Sequence, residues 1–535
     1  MGVFPQALLD ALRDAPGTPV FEHGGRTVSR GELLELIRRL TGAMRGAGLG
    51  PGRGLAIRTD VSPEAFAAHM AAHALGCRVV GIRSGAPAEW RGSGRMVSPG
   101  GVGGRPSTVI RPGYPEAQLA HVLGMGADAV LLDAAAATPE MLRAAGSIPL
   151  LSLGPCRGAV DLLAVPDDGR PLTVTARPDD VAALTFTSGS TGRPKGCAIT
   201  YRALSEHWAW QPDAWGPTAA ELARGFERYL LFGTLASMVV LEFLAPCVLG
   251  GGTAVIPQDD AQPMFPYAIE RHGITGSIIT VPRLTRMLDI LRREPVDVSS
   301  LRALMVSGSP LSPSRLAAAV GLLGPVVYHG YGQTEAGNIA MVTPRDIAER
   351  PSQALASVGR PHPGVQISIR NEQGGAVPAG TTGEIHVRSP YIMAGYWGES
   401  EETRDTLKDG WLNTRDLGHL DPDGFLYLTG RTRDVIMVNA MVVYAGPIER
   451  VLAEHPDVEE AYVVGAPDDE VGEAVHAFVV PAPGREPDGN ALRELVAARL
   501  GADSVPRTVT VVPGVPVTDG GKPDKRALLG LHGAL

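Results

Sequence analysis

Of the 48 basic side chains in this sequence of 535 residues only four are lysines, Lys195, Lys408, Lys522 and Lys525. Three of them fall in two glycine-rich segments, TSGSTGRPKG and GGKPDK. A chain that uses arginine for solvated positive charge and keeps lysine for such segments points to sites where a compact ammonium on a flexible stem threads between phosphate oxygens, as a planar guanidinium cannot. Residues 184–196 read LTFTSGSTGRPKG, a short apolar strand followed by a loop. The hydroxyls of Thr187, Ser188, Ser190 and Thr191 supply donors, the glycines let backbone N–H groups approach an anion, and Arg193 and Lys195 add charge. The pattern suits a polyphosphate. It is not a Walker A loop, because Pro194 and Gly196 stand where GxxxxGK[ST], counted from Gly189, requires Gly and then Ser or Thr.

Five further segments follow in order: GSPL at 308–311, YGQTEAG at 331–337, GWLNTRDLG at 410–418, GRTRD at 430–434 and GKPDKRAL at 521–528. Together with the lysine-bearing loop they resemble the signature of the adenylate-forming (AMP-binding) enzyme superfamily, most closely its AMP-forming acyl-CoA synthetases, and the likeness spans nearly the whole chain. The resemblance implies that a carboxylate attacks the α-phosphorus of ATP, giving an acyl adenylate and pyrophosphate, and that a thiol then displaces AMP. Such chemistry depends mainly on positioning and charge stabilisation.

By this resemblance Thr187, Ser188, Gly189, Ser190, Thr191 and Lys195 form the phosphate loop. Glu335, with Thr187, holds Mg²⁺, a hard cation suited to carboxylate and phosphate oxygens. Gly308, Ser309 and Tyr331 surround the nucleotide base, Thr334 also belongs to the nucleotide site, and Asp416 and Arg431 bind the ribose. Lys522 is the catalytic lysine that reaches the α-phosphate and the attacking carboxylate; Lys525 is expected on the surface and Lys408 in a solvated loop. The implied cofactors are ATP, Mg²⁺ and CoA.

Two departures from the family pattern bear on substrate and acceptor. Ala440 stands where a glycine would let the pantetheine arm pass the backbone, which opens the alternatives of an acyl-AMP ligase that loads an acyl or peptidyl carrier protein and of a standalone adenylation enzyme. The stretch LLFGTLASMVV at 230–240 has neither the histidine gate of many relatives nor the aspartate that pairs with an amino-acid ammonium. A buried ammonium needs a carboxylate partner. The expected substrate is therefore an apolar or bulky carboxylic acid, not an α-amino acid, with Gly233, Ala236 and Ser237 making room for it.

The elements that must position these residues read as α/β. Residues 28–52 form an amphipathic helix ended by glycine and proline, GLAIRTD a strand, SPEAFAAHMAAHALG a Ser-capped helix and CRVVGI the next strand. Residues 84–114 read as a long surface loop. The apolar run at 229–256 is broken by Glu242, Pro246 and three glycines, so a buried helix leading to a strand fits better than a membrane span. After GFLYLTGR the pattern changes to a compact helix–strand–strand–helix set. The expected organisation is a large N-terminal domain, 1–430, of mostly parallel sheets flanked by helices that binds AMP and the acyl substrate, and a small mobile α+β domain, 431–535, hinged at 430–434. The length itself asks for at least two cores. A net charge of −9 excludes an electrostatic nucleic-acid surface, the four cysteines show no metal or disulfide spacing, and the N-terminus lacks a signal pattern, which implies a cytoplasmic protein.

Overall fold

The structure, a computed structural model, describes residues 2–82, 116–188, 194–258, 262–309, 311–432, 435–438, 441–468, 472–516 and 523–531. Four sheets organise it. The first has nine strands, and its centre is parallel: Val327–Gln333, Ala303–Ser307, Gly276–Thr280, Arg228–Leu230, Thr253–Ile256 and Pro19–His23 lie side by side. Antiparallel strands close both edges. The second has eight strands, with Arg78–Gly81, Gly54–Arg58, Ala129–Leu132 and Leu150–Ser152 parallel in its interior.

Local chemistry accounts for the helices that cover these sheets. Ser29 and Glu32 form a reciprocal capping box at the start of Arg30–Gly46, and the Ser62 hydroxyl accepts from the Ala65 N–H at the start of Pro63–Ala74. The expected buried helix is Met238–Leu249, followed by the strand Thr253–Ile256. Among the described residues no helix is long and apolar enough to cross a membrane.

A third, antiparallel sheet of five strands includes Gly383–Arg388, Trp411–Leu420 and Leu426–Arg431. The fourth belongs to the smaller C-terminal domain: Val435–Val438, Met441–Tyr444, Gly472–Pro481, Val458–Asp468 and Thr508–Val511, packed with the helices Ala445–Ala453 and Gly489–Leu500. Among the described residues its apolar clusters, around Ile436, Ile448 and Leu492 and around Phe478 and Leu528, draw on none before 436. The segment 84–114 lies outside the described residues.

Candidate active site

Three strands meet on one carboxylate. Tyr331 and Gln333 end the strand Val327–Gln333, Asp416 lies within Trp411–Leu420, and the pairing of that strand with Leu426–Arg431 sets Arg431 opposite Asp416. Asp416 is 3% exposed. Burying a carboxylate is costly unless donors replace its water, and here they do. The Tyr331 hydroxyl donates to Oδ2 at 2.6 Å, Gln333 Nε2 to the same oxygen at 2.6 Å, and Arg431 Nε to Oδ1 at 2.7 Å. The residue before it, Arg415, sits at φ +59°, in the left-handed region that non-glycine residues seldom occupy. Its guanidinium pairs with Glu402 at 3.1 Å, and the same carboxylate oxygen takes Lys195 Nζ at 3.0 Å. Adjacent residues of one strand thus serve two clusters, one around Asp416 and one around Lys195.

The second cluster forms where Val181–Ser188 turns back as Pro194–Thr200, with Thr187 opposite Lys195. The two strands are antiparallel neighbours. Glu335 stands in the turn after Gln333. Its Oε1 accepts from the Tyr396 hydroxyl at 3.0 Å, and its carbonyl accepts from the Met393 N–H at 2.9 Å. Tyr396 lies opposite Cys197, and its ring centre is 5.6 Å from Lys195 Nζ. Burial first, and then the Glu335 charge, push the Cys197 thiol well above its ordinary value. Thr187, Lys195 and Glu335 therefore converge. Gly308 and Ser309 follow directly on the strand Ala303–Ser307; Gly308 adopts φ +100°, which only glycine tolerates easily.

Gly189, Ser190, Thr191, Arg433, Asp434, Ala440 and Lys522 lie outside the described residues, and of Ser188 only the backbone is described. Lys525 is not a free surface residue: it is half-buried and pairs with Glu449 at 2.8 Å. Lys408 is exposed, on a two-residue strand, Leu407–Lys408, rather than in a loop.

Beside the Asp416 cluster lies a cavity of about 60 Å³. Gln333 and Thr334 form part of its wall, so it adjoins the residues that bind Asp416. The rest is built from separated segments: Ala203, His207 and Trp210, then Ser237, Met238 and Glu242, then Gly337 and Tyr391. Of the three residues expected to make room for the acid, Ser237 lines this cavity, whereas Gly233 and Ala236 do not. Ala236 instead packs beside Gly81, where an added Cβ would meet it at 3.1 Å. Sequence reasoning also stopped two residues short of Glu242, whose Oε1 accepts from Trp208 Nε1 at 2.8 Å. Burial pushes its carboxyl up to about 8, against the pull of that N–H, and holds His207 down at about 3, with His362 adding to the effect. Glu242 carried a signal, as the single charged residue in the run 229–256. His207, Tyr391, Tyr396 and Glu402 carried none.

Residues 103–397 match the family model described as AMP-binding enzyme, and residues 447–522 match AMP-binding enzyme C-terminal domain. The chain is 34% identical to an amide bond synthetase from Marinactinospora thermotolerans of known structure, with a TM-score of 0.82 over 98% of this chain and 99% of that one. It is 30% identical to a medium/long-chain-fatty-acid–CoA ligase of Mycobacterium tuberculosis, over 97% of this chain and 88% of the relative. It is equally, at 30%, identical to a fatty acid–[acyl-carrier-protein] ligase of Streptomyces coeruleorubidus, over 96% and 93%.

Proposed function

The chain belongs to the AMP-binding enzyme family, whose adenylate-forming chemistry activates a carboxylic acid with ATP and then thioesterifies it, and we propose that Asp416 is the residue on which this chain mounts its nucleotide. The observation that carries this reading is the buried carboxylate ringed by Tyr331, Gln333 and Arg431. A ribose diol offers two hydroxyl donors in a geometry that one carboxylate can accept. In this reading Arg431 and the Gln333 amide yield part of their hold on Asp416 to the sugar.

With the ribose on Asp416, the phosphates extend toward Thr187 and Lys195, and the acid enters the adjoining cavity, which at about 60 Å³ must widen to take it, with its carboxylate near Thr334. Lys195 exchanges its pairing with Glu402 for phosphate oxygens. Glu335 and the Thr187 hydroxyl fit a magnesium ion held jointly with the phosphates, since Mg²⁺ commonly takes one or two carboxylates and completes its shell with phosphate and water; bound there, it would neutralise charge on the pyrophosphate leaving group. The acid carboxylate oxygen attacks the α-phosphorus, the bond to the β-phosphate oxygen breaks, and pyrophosphate leaves. Lys522 offsets the charge shared by the two anions. The part of the chain from 431 onward then rotates about 430–434, so that the thiol of CoA reaches the acyl carbon and AMP departs.

Pyrophosphate release measured over a panel of acids, with the acylated product identified by mass, tests the reading. Release that requires both ATP and an acid is the expected result; its absence across aryl, fatty, polycyclic and amino acids refutes it. The acceptor divides the alternatives. An amine acceptor is favoured by the whole-length likeness to an amide bond synthetase at 34% identity, and a carrier protein by the relative that acylates one. An amine nitrogen would attack the same acyl carbon and expel AMP, so running the assay with CoA, a carrier protein or an amine separates the three.

A further inference from the structure

The acid-binding cavity has one polar wall that adenylation does not use. Glu242 is 4% exposed and projects into the cavity from the helix Met238–Leu249. Two donors face its Oε1. Trp208 Nε1 is at 2.8 Å and His207 Nε2 at 3.7 Å. The Ala209 N–H donates to His207 Nδ1, which leaves the imidazole proton on Nε2, pointing toward Glu242. Oε1 is thereby occupied, and Oε2 takes no hydrogen bond from the described residues. A carboxyl oxygen that lines the cavity without a protein donor is a place where a bound ligand can supply the missing bond.

We propose that Glu242 selects a carboxylic acid bearing a basic nitrogen, with that nitrogen bonded to Oε2. A basic nitrogen satisfies Oε2 wherever the proton lies: as an ammonium it donates to the carboxylate, and as a free base it accepts from the carboxylic acid. An alkyl group satisfies neither state. The titratable groups around Glu242 add no competing cation. His207 is held neutral by burial, Tyr391 packs on His207 with ring centres 4.6 Å apart, His362 lies behind Trp208 at 4.7 Å, and no lysine or arginine is among the described residues lining the cavity. Because burial holds the empty-cavity carboxyl up at about 8, binding an ammonium below that pH expels the Glu242 proton. Affinity should then rise by about tenfold per pH unit toward pH 8 and level off above it.

This inference rests on the cavity being the acid pocket of the proposed ligase, and the test separates the two. Matched acids, 3- and 4-(aminomethyl)benzoate against 3- and 4-ethylbenzoate, differ in little but the nitrogen. Pyrophosphate release gives kcat and KM; quenching of tryptophan fluorescence gives binding without turnover. In the native protein kcat/KM should favour an aminomethyl acid by at least about tenfold, mostly through KM. In Glu242→Gln that ratio should fall toward one, and the pH slope of binding should flatten. Loss of the Trp208 contact alone would instead slow both acids equally. Glu242→Leu should reverse the preference; if that variant does not fold, the glutamine variant still decides. Equal constants for the two acids in the native protein, or an unchanged ratio in Glu242→Gln, overturn the inference while leaving adenylation of the ethyl acids intact. Tight binding of an aminomethyl acid with no pyrophosphate from any acid would support the pocket and sink the proposed function.

Discussion

Replacing Asp416 with asparagine removes the charge and one acceptor while preserving shape. Asp416 is buried and takes donors on both oxygens. If the ribose hydroxyls bind there, each donates to an ionised acceptor, a bond contributing about 1.5–3 kcal/mol. Asparagine keeps one carbonyl oxygen, so one of the two bonds is lost and the other weakened to a neutral one, a total near 2–3 kcal/mol. That corresponds to roughly a 30- to 150-fold rise in the KM for ATP. The same substitution turns a donor toward Tyr331 and Gln333 or toward Arg431, so some stability should be lost as well, about 1–3 kcal/mol for each buried group left unpaired.

Thermal unfolding measures that stability cost separately, and Tyr331→Phe, which removes one protein donor, calibrates it. The decisive assay replaces ATP with its 2′- and 3′-deoxy forms. The native protein should discriminate against at least one of them, and Asp416→Asn should discriminate much less, because the interaction is already gone. If the variant keeps the native KM for ATP, or if discrimination against the deoxy forms is undiminished, Asp416 does not bind the ribose and the clamp is only structural.

Three other perturbations address the remaining roles. Glu335→Gln should shift the magnesium dependence of pyrophosphate release to higher concentration without lowering the unfolding temperature; an unchanged titration removes Glu335 from the metal. Lys522→Ala should slow adenylate formation by the equivalent of roughly 3 kcal/mol, as for removal of one charge-stabilising donor, while sparing thioester formation from preformed acyl adenylate, and equal loss in both steps counts against its assignment. Arg433→Pro, by locking φ within GRTRD, should leave pyrophosphate release largely intact and suppress thioester formation; equal survival of both steps removes the pivot from 430–434.

The residues proposed to face the nucleotide stood out in the sequence because each lies in a short local string of distinctive composition. Thr187 and Lys195 flank a run of glycines and hydroxyls, and the antiparallel strands that set them opposite each other are near neighbours in sequence, where local pattern is informative. Asp416 and Arg431 sit on paired strands with a register the sequence does not print, yet each occupies a turn-rich motif that marks it. The helices followed from the same kind of signal, since Ser29 with Glu32, and Ser62 before Pro63, are capping residues with a mechanism. What local pattern cannot show is a partner supplied from elsewhere. Glu402 and Tyr396 reach Lys195 and Glu335 only through the pairing of Gly395–Tyr396 with Pro194–Thr200.

The proposed acid pocket fails to announce itself for the same reason, more severely. Its wall is assembled from five segments spread over residues 185–391, and none of them alone has a composition different from an ordinary core element. Even so, desolvation supplies a rule that a single sequence could have applied. A carboxylate in the middle of an apolar helix must find donors or lie against a cavity, because nothing else offsets its burial. Reading Glu242 only as an interruption of a hydrophobic run answers why the segment does not span a membrane and leaves unasked where the charge goes. It goes to Trp208 and to the cavity. The residue that breaks the apolar pattern is therefore the one on which the proposed substrate choice turns.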